Sequence, residues 1–380
     1  MAGRTGTIPL PKAPMQPTDK FHLPSLDGMR AVATMLVFFS HAGWGHIVPG
    51  GLGVTAFFFL SGYLITTLLR REYSATGTIN FKFFYLRRAY RILPPMYLVL
   101  FLILGLGLVG LAPNTASWSG VLAQSLQVTN YFLISAGEHG LVYGTGTFWS
   151  LAVEEHFYLV FPVLLLFCLR RWRYAHVAKI LLALAVGVLL WRCVLVFGFH
   201  APMERTYLAS DTRVDSILYG CLMGLICNPA LDAAGARVST TVKAAALGAG
   251  LLVLALCLLV RDTAFRETLR YTLQGVAFLP VFWLAVRHPQ WPVFAPLNWG
   301  PVVLMGKVSY TFYLSHFFIV KIAESMFQQR LVIALVSFVC SFAFAYLVYI
   351  AVEQPCARWR ARLHGSPPAP VAGAVNGQRG

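Results

Sequence analysis

Long apolar runs, broken by short polar or basic interruptions, recur from one end of this chain to the other. Runs of about 17–22 residues, the length a helix needs to cross a bilayer core, fall approximately over 29–46, 52–69, 93–112, 148–169, 178–199, 214–229, 242–260, 271–287, 301–320 and 331–352. The pattern predicts an all-α, polytopic transmembrane bundle of about ten spans. A membrane barrel would instead show short segments of alternating polarity, and none is visible.

The basic residues sharpen the topology. They cluster between spans, at Arg70, Arg71, Lys82, Arg87, Arg88 and Arg91, at Arg170, Arg171, Arg173 and Lys179, and at Arg358, Arg360 and Arg362. Cytoplasmic loops collect Lys and Arg. With ten spans, all three clusters fall on one side and both termini are cytoplasmic. The weaker stretch 118–134, which carries Gln124, Gln127, Thr129 and Asn130, is then re-entrant or interfacial. As an eleventh span it would put the later clusters on the opposite side from the first.

Composition agrees with a membrane protein: of 380 residues 58% are hydrophobic and 12% charged, and the mean hydropathy is +0.67. The net charge of +16 is accounted for by the cytoplasmic clusters, so no nucleic-acid partner is implied. The cysteines, Cys168, Cys193, Cys221, Cys227, Cys257, Cys340 and Cys356, lie mostly in apolar runs without metal-ligand spacing and read as small packing residues. Residues 1–22, rich in proline, read as a disordered cytoplasmic tail without the apolar core of a signal peptide. Residues 23–356 form the membrane domain, and 357–380 read as a basic stretch followed by a disordered tail.

Ionisable groups within spans cost a few kcal/mol each, so each calls for a partner, an aqueous cavity or a function. In "LDGMRAVATMLVFFSH" (26–41), Arg30 and His41 are eleven residues apart. At 100° per residue they return to within about 20° of one face, roughly 16 Å apart along the axis. Arg30 is thereby placed at the cytoplasmic edge and His41 near mid-membrane, both facing one groove. The plainer alternative for His41 is a buried histidine hydrogen-bonded to a neighbouring helix. Asp27 is placed to cap the helix start. In "FYLRRAYRILPPMY" (84–97), Arg88 and Arg91 share a face at i, i+3. Their planar guanidiniums suit phosphate, although a positive-inside anchor also explains them. Pro94 and Pro95 are expected to end this juxtamembrane helix and start the next span.

In "FWSLAVEEHFYLVFP" (148–162), Glu154 and Glu155 point about 100° apart, and Glu154 shares its face with Tyr158. A buried carboxylate there pairs with an arginine, orients a histidine, takes a proton, or simply ties helices together. Weaker candidates are Asp211 and Asp215 around Arg213, expected as a local ion-pair cluster, together with His316 beside Ser315, and Glu353 at the end of the last span.

Taken in order, these motifs resemble the acyltransferase-3 family of integral membrane acyltransferases, which O-acylate glycans and other acceptors. The remaining matching stretches are "GVTAFFFLSGYLI" (53–65), "TRVDSILYGCLMG" (212–224), "SYTFYLSH" (309–316) and "VEQP". They cover about 23–356 in family order. The resemblance implies a donor, acetyl-CoA or another short acyl-CoA, entering from the cytoplasm. It puts the family's essential histidine on His41, its first arginine on Arg30, its R-x-x-R pair on Arg88 and Arg91, and its glutamate on Glu154. Thus His41 and Glu154 are the expected catalytic residues, and Arg30, Arg88 and Arg91 the expected donor-binding ones; no metal site is indicated. Lacking a Gly-Asp-Ser motif, the chain groups with members that have no soluble esterase-like domain. The implied setting is a bacterial cytoplasmic (inner) membrane, among its lipids.

On this reading His41 is either general base on an acceptor hydroxyl or a transient acyl carrier. The expected acceptor is a cell-envelope or secreted polysaccharide, or its lipid-linked precursor. A small acceptor such as a macrolide is the alternative within the class. A transporter with an Arg/His/Glu-lined pathway is the rival from another class, although no internal repeat supports it.

Overall fold

A computed structural model describes residues 23–233 and 238–362, and among them every extended element is a helix. The expected tails at 1–22 and 363–380 lie outside the described residues. In chain order the helices are α1 (Pro24–Phe39, continued by a π turn Ser40–Trp44), α2 (Gly50–Thr76), α3 (Phe81–Leu108), α4 (Trp118–Ser125) and α5 (Thr129–Ala136). Then come α6 (Phe148–Arg171), α7 (Tyr174–Cys193, with a π turn Val194–Gly198), α8 (Met203–Leu208), α9 (Ser210–Ile226) and α10 (Thr240–Leu259). The last are α11 (Thr263–Glu267), α12 (Leu269–Arg287), α13 (Gly300–Met326), α14 (Arg330–Val348, with a π turn Tyr349–Glu353) and α15 (Gln354–Arg362).

All ten expected segments are helical. Eight of the helices are long and apolar enough to cross a membrane, and the two of the ten outside that set are α1 and α9. At 16 and 17 residues these two are the shortest of the ten. The stretch 118–134 forms two eight-residue helices broken at Gln127, whose φ is 60°. Neither reaches the roughly 20 residues a span requires.

The interior inverts the pattern of a soluble domain. Leucines and valines of α7, α10 and α14 point outward, among them Leu190, Leu252, Leu259, Leu335 and Val339, while Thr55, Arg192, Arg213, Asp215 and His316 are buried. In lipid the hydrophobic effect does not drive helices together, so close contact and polar bonds must. α2 and α9 approach through reciprocal glycines: a Cβ on Gly62 would lie 2.0 Å from the Ile217 carbonyl oxygen, and one on Gly220 2.0 Å from that of Phe59.

Three expectations about the helices require correction. Asp27 does not cap α1, whose N-cap position is Leu23; it lies within the first turn. Pro94 and Pro95 do not separate two helices, because α3 runs unbroken through both. The prolines withhold N–H groups from the carbonyls of Tyr90 and Arg91, and the Tyr310 hydroxyl donates to the next carbonyl, that of Ile92, at 2.9 Å. This bond ties α13 to α3 beside the carbonyls that the prolines leave without a helical partner. Nor do Asp211, Arg213 and Asp215 pair with each other. Asp211 accepts from Arg205 and from the Trp191 indole, and Asp215 pairs at 2.7 Å with Arg192 of α7. Arg213 lies 4.1 Å from the ring centre of Tyr271 and 5.1 Å from that of Tyr207, and donates to Thr55 and to the Tyr207 carbonyl.

Candidate active site

α1, α2, α3, α6 and α13 line a partly open cavity. Arg30 from α1, Arg88 and Arg91 from α3, and Glu154 with Tyr158 from α6 line it, as do Ser61, Ser150, Tyr310 and Tyr313. Four of the five residues singled out from sequence therefore meet in one place, although they come from three helices. The i, i+3 spacing of Arg88 and Arg91 turns both guanidiniums to the cavity. The i, i+4 spacing of Glu154 and Tyr158 lets the phenol donate to the carboxylate at 2.5 Å.

Glu154 is held twice: its Oε2 accepts from Tyr158 and, at 2.9 Å, from Ser61 of α2. Arg88 lies 4.6 Å from the centre of the Tyr158 ring, so the phenol is shared between a cation on its face and a carboxylate at its hydroxyl. Arg30 and Arg88 both lie within electrostatic reach of Glu154. Glu353 accepts from Thr311 at 2.5 Å and lies in the field of Arg91 and Arg30. Glu155, pointing elsewhere as its position one residue on requires, is buried with Oε1 unbonded. His156 bonds Ser210 at 2.7 Å, not Glu154.

Arg360 was not anticipated as part of this region. It sits on α15, which packs against α3, and lies within electrostatic reach of Arg91, Arg88 and Arg87. In the sequence it looked like one more cytoplasmic anchor, and only the fold-back of α15 brings it to the arginines.

Against the expectation of a groove shared with Arg30, His41 does not line the cavity, because the helix leaves its regular 100° per residue before reaching it. α1 changes to a π turn at Ser40, and Gly43, with φ 97°, ends it; His41 lies inside that turn and faces α13. There its Nδ1 is 2.9 Å from Nε2 of His316, whose own Nδ1 is 2.8 Å from the Tyr313 carbonyl oxygen. The ring of Phe317 covers His41 at 4.6 Å. Beyond it Lys321 pairs with Glu138 at 2.8 Å, tying α13 to the loop after α5. Tyr313 joins the two regions: its side chain lines the cavity and bonds Ser150 at 2.7 Å, while its carbonyl serves His316.

These features sit within a recognisable family. The model for the family described as "Acyltransferase domain" matches residues 23–350, and the chain belongs to that acyltransferase-3 family. It is similar to the Staphylococcus aureus (strain COL) protein named "Putative O-acetyltransferase SACOL0978", 28% identical over 349 residues. It is also similar to "O-acetyltransferase OatA" of S. aureus strain NCTC 8325 / PS 47, 27% identical over 355 residues. Each comparison covers 88% of this chain and 57% of the relative, so the chain spans little more than half the length of the curated relatives it matches. No solved structure matches it. The chain is an integral membrane protein of an acyltransferase family.

Proposed function

We propose that the protein is a membrane O-acetyltransferase that moves an acetyl or other short acyl group from acyl-CoA to a hydroxyl of a cell-envelope or secreted polysaccharide, or its lipid-linked precursor. The observation that carries this reading is the arginine-lined cavity, connected through Tyr313 to a histidine pair, inside a bundle of this family. Bacterial relatives named as O-acetyltransferases support it; the proposed setting is a bacterial cytoplasmic membrane, with both termini on the cytoplasmic side as the basic clusters favour.

The donor's phosphates call for fixed cations, and Arg88, Arg91 and Arg30 supply them without the conformational cost of gathering them from solution. Glu154, held by Ser61 and Tyr158, stands in the field of Arg88 and Arg30 and helps to orient them until the donor arrives. His41 acts on the acceptor. Its free ring nitrogen takes the proton of the acceptor hydroxyl as that oxygen attacks the acyl carbonyl carbon; the C–S bond breaks, and the CoA thiolate recovers the proton from His41. If the acyl group passes through histidine instead, the same nitrogen attacks the carbonyl and CoA leaves as thiolate; the acceptor oxygen then displaces the imidazole, and its hydroxyl proton balances the thiolate as CoA thiol. Both routes need an unprotonated His41 nitrogen facing the reacting groups.

The test uses purified full-length protein in lipid nanodiscs with acetyl-CoA, with and without envelope polysaccharide whose O-acetyl groups have been removed by mild base. Acceptor-dependent release of free thiol, with new ester on the polysaccharide by NMR, is the expected result. Thiol release that depends on a macrolide but not on polysaccharide would move the acceptor to the small-molecule class. No release with either acceptor would favour a transport pathway.

A further inference from the structure

His316 lies too deep to meet a polymer: it is 1% exposed, with Phe38 and Phe312 against its ring. Its hydrogen bonds nevertheless determine how His41 is protonated. A carbonyl oxygen only accepts, so the 2.8 Å contact with Tyr313 requires the proton of His316 to be on Nδ1. In this apolar setting an uncompensated cation is costly, and a neutral imidazole has one N–H only. Nε2 of His316 is therefore an acceptor. The group 2.9 Å from it, His41 Nδ1, must be the donor. One proton on Nδ1 leaves the lone pair of His41 on Nε2.

The ring geometry agrees. The two imidazoles lie within 13° of parallel, with centroids 5.2 Å apart for an N···N contact of 2.9 Å. They therefore meet edge to edge, with the N–H directed along the in-plane lone pair. The bond thus sets the plane of the His41 ring as well as its tautomer.

We propose that His316 is the positioning residue of His41: by accepting the Nδ1 proton, it fixes the tautomer and ring plane that leave Nε2 free for acyl transfer. This deepens the function proposed above, and its catalytic half rests on that reading. The chain runs from the Tyr313 carbonyl through His316 to His41, so the residue that lines the donor cavity also anchors the histidine relay.

Two substitutions separate this role from simple packing. In His316→Gln the amide reaches the position of Nε2 and its oxygen still accepts from His41. In His316→Asn the amide reaches only the position of Nδ1, keeping the Tyr313 contact and losing the one to His41. In protein labelled with [¹⁵N]histidine, multiple-bond ¹⁵N–¹H spectra should show His41, identified by its loss in His41→Gln, as the Nδ1–H tautomer. That state should persist in His316→Gln and disappear in His316→Asn. With acetyl-CoA and base-treated polysaccharide, kcat should fall less than about tenfold in the Gln variant and about 100-fold or more in the Asn variant, the scale of a misplaced base. The KM for acetyl-CoA should not change. An Nε2–H tautomer in the unmodified protein, or equal losses in the two variants, would overturn the proposal. A His41→Ala protein that still transfers acetyl groups would remove the function assigned to His41, whereas the spectra test the relay itself.

Discussion

The arginine cavity and the histidine pair both rest on α13, and their polar groups are satisfied in opposite ways. In the cavity, Arg30, Arg88 and Arg91 line the open space, and Glu154 is fixed by two hydrogen bonds from side chains. At the histidines the second ring is 1% exposed and both of its nitrogens are engaged. The first arrangement leaves cations available to a ligand that arrives with its own charge. The second spends every bond on the orientation of one atom, Nε2 of His41. The proposed transfer of an acyl group from acyl-CoA needs both, and this chain keeps them apart on one helix.

The comparison predicts different kinetic signatures, and the largest belongs to the histidines. His41→Ala should lower kcat by a factor of roughly 10²–10⁴, the usual contribution of a positioned base. Its KM for acetyl-CoA should stay near that of the unmodified protein, because His41 is not in the cavity lining. Retention of monodisperse protein by size-exclusion chromatography would confirm that the bundle still forms. A loss expressed in KM alone would place His41 with the donor and dissolve the distinction.

Next in size, Arg88→Ala with Arg91→Ala should act mainly on donor KM. Charge-assisted hydrogen bonds contribute about 1.5–3 kcal/mol each, so losing two partly redundant ones should raise the KM for acetyl-CoA by about 10- to 100-fold. Calorimetric titration with desulfo-CoA, which lacks the thiol, would read the same loss without chemistry. A fall in kcat with unchanged binding would contradict the phosphate role.

How far the sequence revealed these two regions depends on where each residue finds its partner. The cavity residues were legible because spacing along a single helix decides them: Arg88 with Arg91 at i, i+3, and Glu154 with Tyr158 at i, i+4. The same habit misled at Asp211, Arg213 and Asp215, where local pairing was expected. In lipid each buried charge is instead satisfied across helices, and Asp215 reaches Arg192 on α7. Pro94 and Pro95 misled because a membrane helix tolerates proline where other helices pack against it, and Tyr310, which bonds α3 at Ile92, is 218 residues away. The histidine pair was hidden for the same reason. Both histidines drew attention as polar groups in apolar runs, but they are 275 residues apart, and no periodicity links them.

A smaller effect is expected where hydrogen bonding and charge can be separated. In Glu154→Gln the amide oxygen still accepts from Ser61 and Tyr158, so the wall of the cavity persists while the carboxylate's charge is lost. kcat should fall about tenfold, the equivalent of roughly one charge-assisted contact, with little rise in donor KM. Unchanged kcat would assign Glu154 to the scaffold of the cavity rather than to the reaction.

The smallest effect should come from Arg360, and it decides how far the donor region extends. α15 brings this half-buried arginine back to Arg87, Arg88 and Arg91, a gathering of like charges that favours an anion between them. At the edge of the bundle its interaction is weakened by water and salt, and one such contact is worth up to about 1 kcal/mol. Arg360→Ala should therefore raise the KM for acetyl-CoA by about two- to fivefold, leave kcat unchanged, and lose its effect as ionic strength rises. The same substitution tested with 3′-dephospho-acetyl-CoA would locate the contact. If Arg360 meets the ribose phosphate, removing that phosphate should abolish the difference between variant and unmodified protein. If it meets the pyrophosphate, the difference should persist. No change in KM with either donor would confine the donor region to the cavity, with α15 serving only to pack against α3.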